Sequence, residues 1–150
     1  MFKTKGDLNY MKRKASAVWQ GSLKDGKGKI STDSGTLEDT QYSFSTRFEN
    51  GVGTNPEELI AAAHAGCFAM AFSAELGKAS LTPESISATA TVTLDKTGEG
   101  FSVTESHLDV TVKVPGADSA KVLEIANAAK AGCPISRLLK ANVTMDAKVV

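Results

Sequence analysis

Sixteen consecutive residues, Leu59 to Ala74, carry no formal charge, and Asn55–Pro56–Glu57–Glu58 stand directly before them. This stretch constrains the fold more than any other. A membrane span needs about twenty apolar residues. This run is shorter, is rich in alanine, and contains His64. It reads as a core helix over roughly 56–76, with Pro56 at a first-turn position and Gly77 able to end it. Glu57 and Glu58 complement the positive end of the helix dipole. A helix apolar all round must be enclosed by protein. One chain of 150 residues can hardly enclose it on every side, so a homodimer with central helices is expected.

The rest of the chain reads as strands and shorter helices. Ala15, Ala17 and Trp19 alternate with polar residues, as in a strand, and Gly26 and Gly28 supply turn chemistry before a second strand near 29–32. Tyr42, Phe44 and Phe48 fall on one face of a third expected strand, with Arg47 on the other. Ile86, Ala88, Ala90, Val92 and Leu94 form the cleanest alternation, and residues 101–114 turn back beside them. The apolar set there changes phase between Val103 and Leu108, which predicts a β-bulge near 105–107. A helix capped by Asp118 or Ser119 follows, then a short one opened by Pro134, then a closing strand from Ala141 to Val149. The expected class is α+β, with antiparallel sheets around the long helix, in one domain spanning 11–150. Residues 1–10 lack an apolar signal core and read as an extension.

Acidic and basic residues balance at seventeen each, and no basic block with stacking aromatics is present, so nucleic acid is not an expected partner. Neither is a membrane. With no export signal, a reducing cytoplasm is expected, where two cysteines do not suggest a structural disulfide. Zinc is poorly supported because there is no Cys-x-x-Cys. No metal or cofactor is called for. Cys67 lies mid-helix, where burial favours an inert thiol. Cys133, just before Pro134 at a helix start, is the more acidic thiol by local rules. His64 reads as a hydrogen-bonded core histidine, and His107 as a surface residue. Glu58 reads as a capping group. Arg137 and Lys140 read as partners of a helix C-terminus.

The stretches NPEELIAAAHAGCF, FSTRF, AGCPIS, WQGSLKDGKG and VTLDK closely resemble the osmotically inducible protein C (OsmC) family, which includes the organic hydroperoxide resistance (Ohr) proteins. The resemblance runs from Met11 to Val150, and AHAGCF with KAGCPIS leans to the OsmC branch. It implies an intertwined α+β homodimer and a thiol-dependent peroxidase that reduces organic hydroperoxides. By the same resemblance Cys67 is the peroxidatic cysteine, and Cys133 resolves its sulfenic acid to a disulfide. Arg47 is the catalytic arginine and Glu57 its partner. A dithiol, such as a lipoyl-type one, would be the reductant. The competing reading is a redox-responsive binding protein for an apolar ligand such as a fatty acid.

Geometry qualifies this set. Ten residues of continuous helix separate Glu57 from Cys67 by about 15 Å. Either the helix breaks between them, or Arg47 and Glu57 serve the Cys67 of a second chain.

Overall fold

A computed structural model describes residues 11–150. The expected extension over 1–10 lies outside the described residues. The chain forms two compact units that divide between Asn55 and Pro56.

The first unit holds β1 (Ala15–Gln20), β2 (Lys27–Thr32), β3 (Thr40–Tyr42) and a one-turn helix α1 (Phe44–Phe48). The three strands form an antiparallel sheet in sequence order. Gly28 on the middle strand pairs with Trp19 on one side and Tyr42 on the other. A Cβ at Gly28 would come within 2.7 Å of the Trp19 ring and 2.3 Å of the Tyr42 ring. Glycine is therefore what lets the two aromatics close over the strand, with ring centroids 5.5 Å apart.

The α1 segment corrects the sequence reading, which made Tyr42 to Phe48 a strand. Ser43 and Thr46 form a reciprocal capping box. The Thr46 amide donates to Ser43 Oγ at 3.3 Å, and the Ser43 amide donates to Thr46 Oγ1 at 2.8 Å. Phe44 and Phe48 are four apart and so share a helix face, with centroids at 4.8 Å. The loop that follows is tied back to the unit. The Thr54 amide donates to the Gln41 carbonyl at 3.0 Å, and Asn55 Nδ2 donates to the Thr46 carbonyl at 2.9 Å.

The second unit contains α2 (Pro56–Lys78), β4 (Ser85–Thr97), β5 (Gly100–Lys113), α3 (Ser119–Gly132), α4 (Pro134–Leu138) and β6 (Asn142–Val149). β4 and β5 are a long antiparallel hairpin with Gly98 and Glu99 at its tip. The register slips where Thr93 faces Glu105 but Leu94 faces Val103, which leaves Thr104 as the extra residue of a bulge. The bulge sits one residue before the expected span. The class is α+β as expected, but the final strand is not antiparallel. β6 runs parallel to β5 because the chain returns to the sheet through α3 and α4, a crossover rather than a hairpin.

Its core is shared by α2, β5 and α3. Phe68, Phe72 and Leu76 recur every four residues on one face of α2. They meet Leu108, Val110 and Val112 from β5 and Val122, Ile125, Ala126 and Ala129 from α3. By length and composition alone α2 could cross a membrane. Its buried face, which carries Glu57 and His64, instead packs within the unit against β4, α3 and α4. The opposite face, with Ala62, Ala63, Gly66, Met70, Ser73 and Ala74, is exposed in the single chain, and Met70 is 78% exposed.

Candidate active site

One joint sets the position of Cys133. The residue before a proline avoids the helical region. Cys133, before Pro134, sits at φ −56° and ψ 127°. It therefore ends α3 and begins α4 at once. Its amide donates to the Ala129 carbonyl at 2.9 Å, and its carbonyl accepts from the Arg137 amide at 3.0 Å. Satisfied on both sides, Cys133 is fully buried. Cys67 comes to it from the middle of α2, half-buried. Both thiols are free, and they lie near enough for each to shift the acidity of the other.

The thiols differ in acidity. Burial pushes the Cys67 thiol up, and donating its hydrogen bond to Cys133 pushes it further; the Ile135 amide offsets this in part. Burial also opposes ionisation of Cys133. That effect is outweighed by the bond from Cys67, the amides of Ser136 and Ile135, and the Ser136 hydroxyl, so the Cys133 thiol is lowered. The sulfur does not adopt full capping geometry, but it lies near enough to the start of α4 to be stabilised there. In this unit Cys133 is thus the more acidic thiol of the two, the order expected from local rules. A cation that makes Cys67 a thiolate has to come from outside this arrangement.

His64 lies one helical turn before Cys67 and is fully buried. Its Nδ1 is 2.6 Å from Ser106 Oγ on β5, and its Nε2 is 2.8 Å from Ser136 Oγ on α4. Burial lowers its pKa, so the ring is neutral near pH 7. The expectation of a hydrogen-bonded core histidine holds. Ser106 and Ser136 were not singled out by the sequence. The one available signal was Ser136 at the third position of the helix that Pro134 opens.

The other two expected residues belong to α1 and to the first turn of α2. Arg47 belongs to the first unit, in the only turn of α1, with its guanidinium carbon 5.5 Å from the centre of the Phe48 ring. Glu57 is buried in the first turn of α2. The helix runs unbroken from Pro56 to Lys78, which removes the option of a break before Cys67. Glu57 therefore stands about 15 Å along the axis from Cys67 in the same chain. The structure brings Cys67 and Cys133 together and does not bring Glu57 to them.

A second polar cluster lies on the sheet. His107 Nε2 faces Asp109 Oδ1 at 3.4 Å and Asp146 Oδ2 at 3.3 Å, while Nδ1 meets Thr144 Oγ1 at 2.5 Å. Both aspartates are exposed, and His107 is half-buried rather than the surface residue expected.

Residues 48–148 match the family model described as OsmC-like protein. The chain belongs to the OsmC-like family. Among OsmC-like relatives, a peroxiredoxin OsmC of Escherichia coli is 53% identical over 134 residues, covering 89% of this chain and 94% of that protein. The organic hydroperoxide resistance protein OhrB of Bacillus subtilis is 30% identical over 77% of this chain and 84% of its own length. The crystal structure of that OhrB superposes with a TM-score of 0.62 at 26% identity, covering 91% of this chain and 98% of its own. An OsmC-like protein of unknown function from Vibrio cholerae superposes with a TM-score of 0.73 at 18% identity, over 93% of this chain and 100% of its own. The latter is a likeness of fold.

Proposed function

We propose that this protein is a thiol-dependent peroxidase that reduces organic hydroperoxides to alcohols. The observation that carries the reading is that Cys67 and Cys133 lie near each other in one core, close enough for each thiol to shift the acidity of the other. The naming of its relatives as a peroxiredoxin and as organic hydroperoxide resistance proteins supports it. Two neighbouring thiols can pass from dithiol to disulfide once their Cα atoms come within about 7 Å.

The Cys67 thiolate attacks the distal oxygen of ROOH. The O–O bond breaks, one oxygen stays as Cys67 sulfenic acid, and the alkoxide leaves as alcohol after taking a proton. Cys133 then attacks the Cys67 sulfur, the S–O bond breaks, and the hydroxyl departs as water with the Cys133 proton. The disulfide returns to two thiols by exchange with a dithiol, for which a lipoyl-type reductant is the proposed class.

Arg47 is the proposed source of positive charge for the Cys67 thiolate, and Glu57 aims its guanidinium through paired hydrogen bonds. The length of α2 favours supply of these two groups to Cys67 by a second copy of the chain. So does the exposed apolar face of α2, which a homodimer would cover. Two cycling thiols suit a reducing cytoplasm.

Turnover tests the function. With cumene hydroperoxide and dihydrolipoamide, the wild-type chain should consume peroxide catalytically, and Cys67→Ser should consume none. Equal rates for the two would remove the assignment. A mixed dimer of Cys67→Ser and Arg47→Ala chains tests the shared site. It should regain activity over either parent, and no gain would show that each chain serves itself.

A further inference from the structure

Arg47 sits on a helix too short to stand by itself. α1 is five residues long, and a single turn fixes more dihedrals than its few hydrogen bonds offset. Groups outside the turn have to hold it. At the front, the capping box of Ser43 and Thr46 does so. At the back, the Glu49 amide donates to the Ser45 carbonyl at 3.0 Å, and the Gly51 amide donates to the same oxygen at 3.2 Å. The next carbonyl, that of Thr46, accepts from Nδ2 of Asn55 at 2.9 Å. Asn55 lies nine residues further along, so this one side-chain bond closes the loop onto the residue beside Arg47.

The loop is shaped to bring that amide back. Gln41 Nε2 donates to the Val52 carbonyl at 3.3 Å, and the Thr54 amide donates to the Gln41 carbonyl at 3.0 Å. Between them Gly53 takes φ +134°, and a Cβ there would collide with the Gln41 carbonyl oxygen. Asn55 then stands directly before Pro56, at the N-cap position of α2, where asparagine is among the favoured residues. Capping uses the oxygen end of an amide, and the nitrogen end is the one that reaches Thr46. Asn55 is also two residues before Glu57. The two groups proposed to serve the Cys67 thiolate thus flank one short loop, and Asn55 ties that loop to the turn of Arg47.

We propose that Asn55 is a positioning residue for Arg47. Its amide holds the turn that carries the guanidinium, so the cation is presented in one direction. Without that bond the turn opens more often, the guanidinium is less well aimed, and the Cys67 thiolate loses part of its stabilisation. Asn55 acts through the turn and takes no part in making or breaking bonds. The consequence for the thiolate rests on the proposed peroxidase reading; the hold on the turn does not.

Asn55→Ser separates the two, because serine can still cap α2 but brings no amide to Thr46. Trypsin cuts after arginine where the chain opens locally. With far-UV ellipticity unchanged, cleavage between Arg47 and Phe48, read by peptide mapping, should run about three- to tenfold faster than in the wild-type chain. That is the factor one neutral hydrogen bond is worth in an opening equilibrium. An unchanged rate overturns the proposal. In single turnovers with cumene hydroperoxide, Asn55→Ser should shift the pH profile of Cys67 oxidation upward and recover most of its rate at high pH. The shift should vanish once Arg47 is alanine, so that Arg47→Ala and Arg47→Ala with Asn55→Ser share one profile. A profile equal to that of the wild type, or a shift that persists without Arg47, overturns the proposal as well. A wild-type chain whose Cys67 is not oxidised refutes the peroxidase reading instead, while the tryptic rate still judges the hold on the turn.

Discussion

Replacing His64 with leucine tests the buried network by its cost to folding. Leucine nearly conserves volume and packs beside Phe68 without opening a large cavity. The damage falls on the hydrogen-bond partners. Ser136 is half-buried and can turn to water, but Ser106 is fully buried and is left with an orphaned hydroxyl. An unsatisfied buried group costs about 1–3 kcal/mol, and the lost net bonds add to it, so His64→Leu should cost about 2–3 kcal/mol. Removing both partners is a different case, because apolar groups in both places leave nothing unpaired. His64→Leu with Ser106→Ala should recover about 1–2 kcal/mol of that loss, a positive coupling in a double-mutant cycle. Urea unfolding followed by far-UV ellipticity is the suitable assay. Trp19, the single tryptophan, lies in the first unit and would miss a separate transition of the second. At an unchanged slope, the single variant should lose about 1 M or more in midpoint and the double variant should regain much of it. Additive losses in the double variant would refute the claim that Ser106 depends on His64.

Acidification should act through the same ring. The pKa of His64 is lowered in the folded state from an unfolded value of 6.5, so the unfolded chain binds the extra proton. This contribution to stability is present above pH 6.5 and fades as pH falls towards the folded value. His64→Gln should flatten the slope of stability against pH in that window, as read by unfolding at several pH values. Phe72→Ala empties a fully buried position between α2 and the sheet and should cost about 3–5 kcal/mol by the same urea assay. Met70→Glu places a charge on the exposed apolar face of α2 and should shift the chain from the proposed dimer to a monomer in light scattering, with the helix content kept. A Met70→Glu chain that remained dimeric would move the interface elsewhere.

Some parts of the fold were legible in the sequence, for physical reasons that differ by element. β4 and β5 each bury one face, so alternation had to appear, and the phase change marked the bulge to within a residue because Thr104 is unpaired. The segment around Arg47 misled because aromatic residues at 42, 44 and 48 fit a period of two, while 44 and 48 also fit one helix face. Ser43 and Thr46 decide between them through their caps, a local signal that alternation hides. The direction of β6 was hidden for another reason. Alternation looks the same in parallel and antiparallel pairs, and only the path through α3 and α4 sets it. At the site, the helix start at Cys133 was readable from Pro134, and the acidity order followed. The nearness of Cys67 to Cys133 was not readable from spacing, since it depends on how α4 lies on α2; the family resemblance supplied the pairing. Ser106 and Ser136 come from separate elements and leave no periodic trace.

Intact mass after a limited pulse of an alkyl hydroperoxide, followed by peptide mapping, tests most directly whether the two sulfurs act as one redox pair. The expected product has lost two hydrogens, with Cys67 linked to Cys133 in one chain, and Cys133→Ser gains one oxygen at Cys67 instead. Two unlinked oxidised cysteines, or an unchanged mass while peroxide disappears, would contradict it.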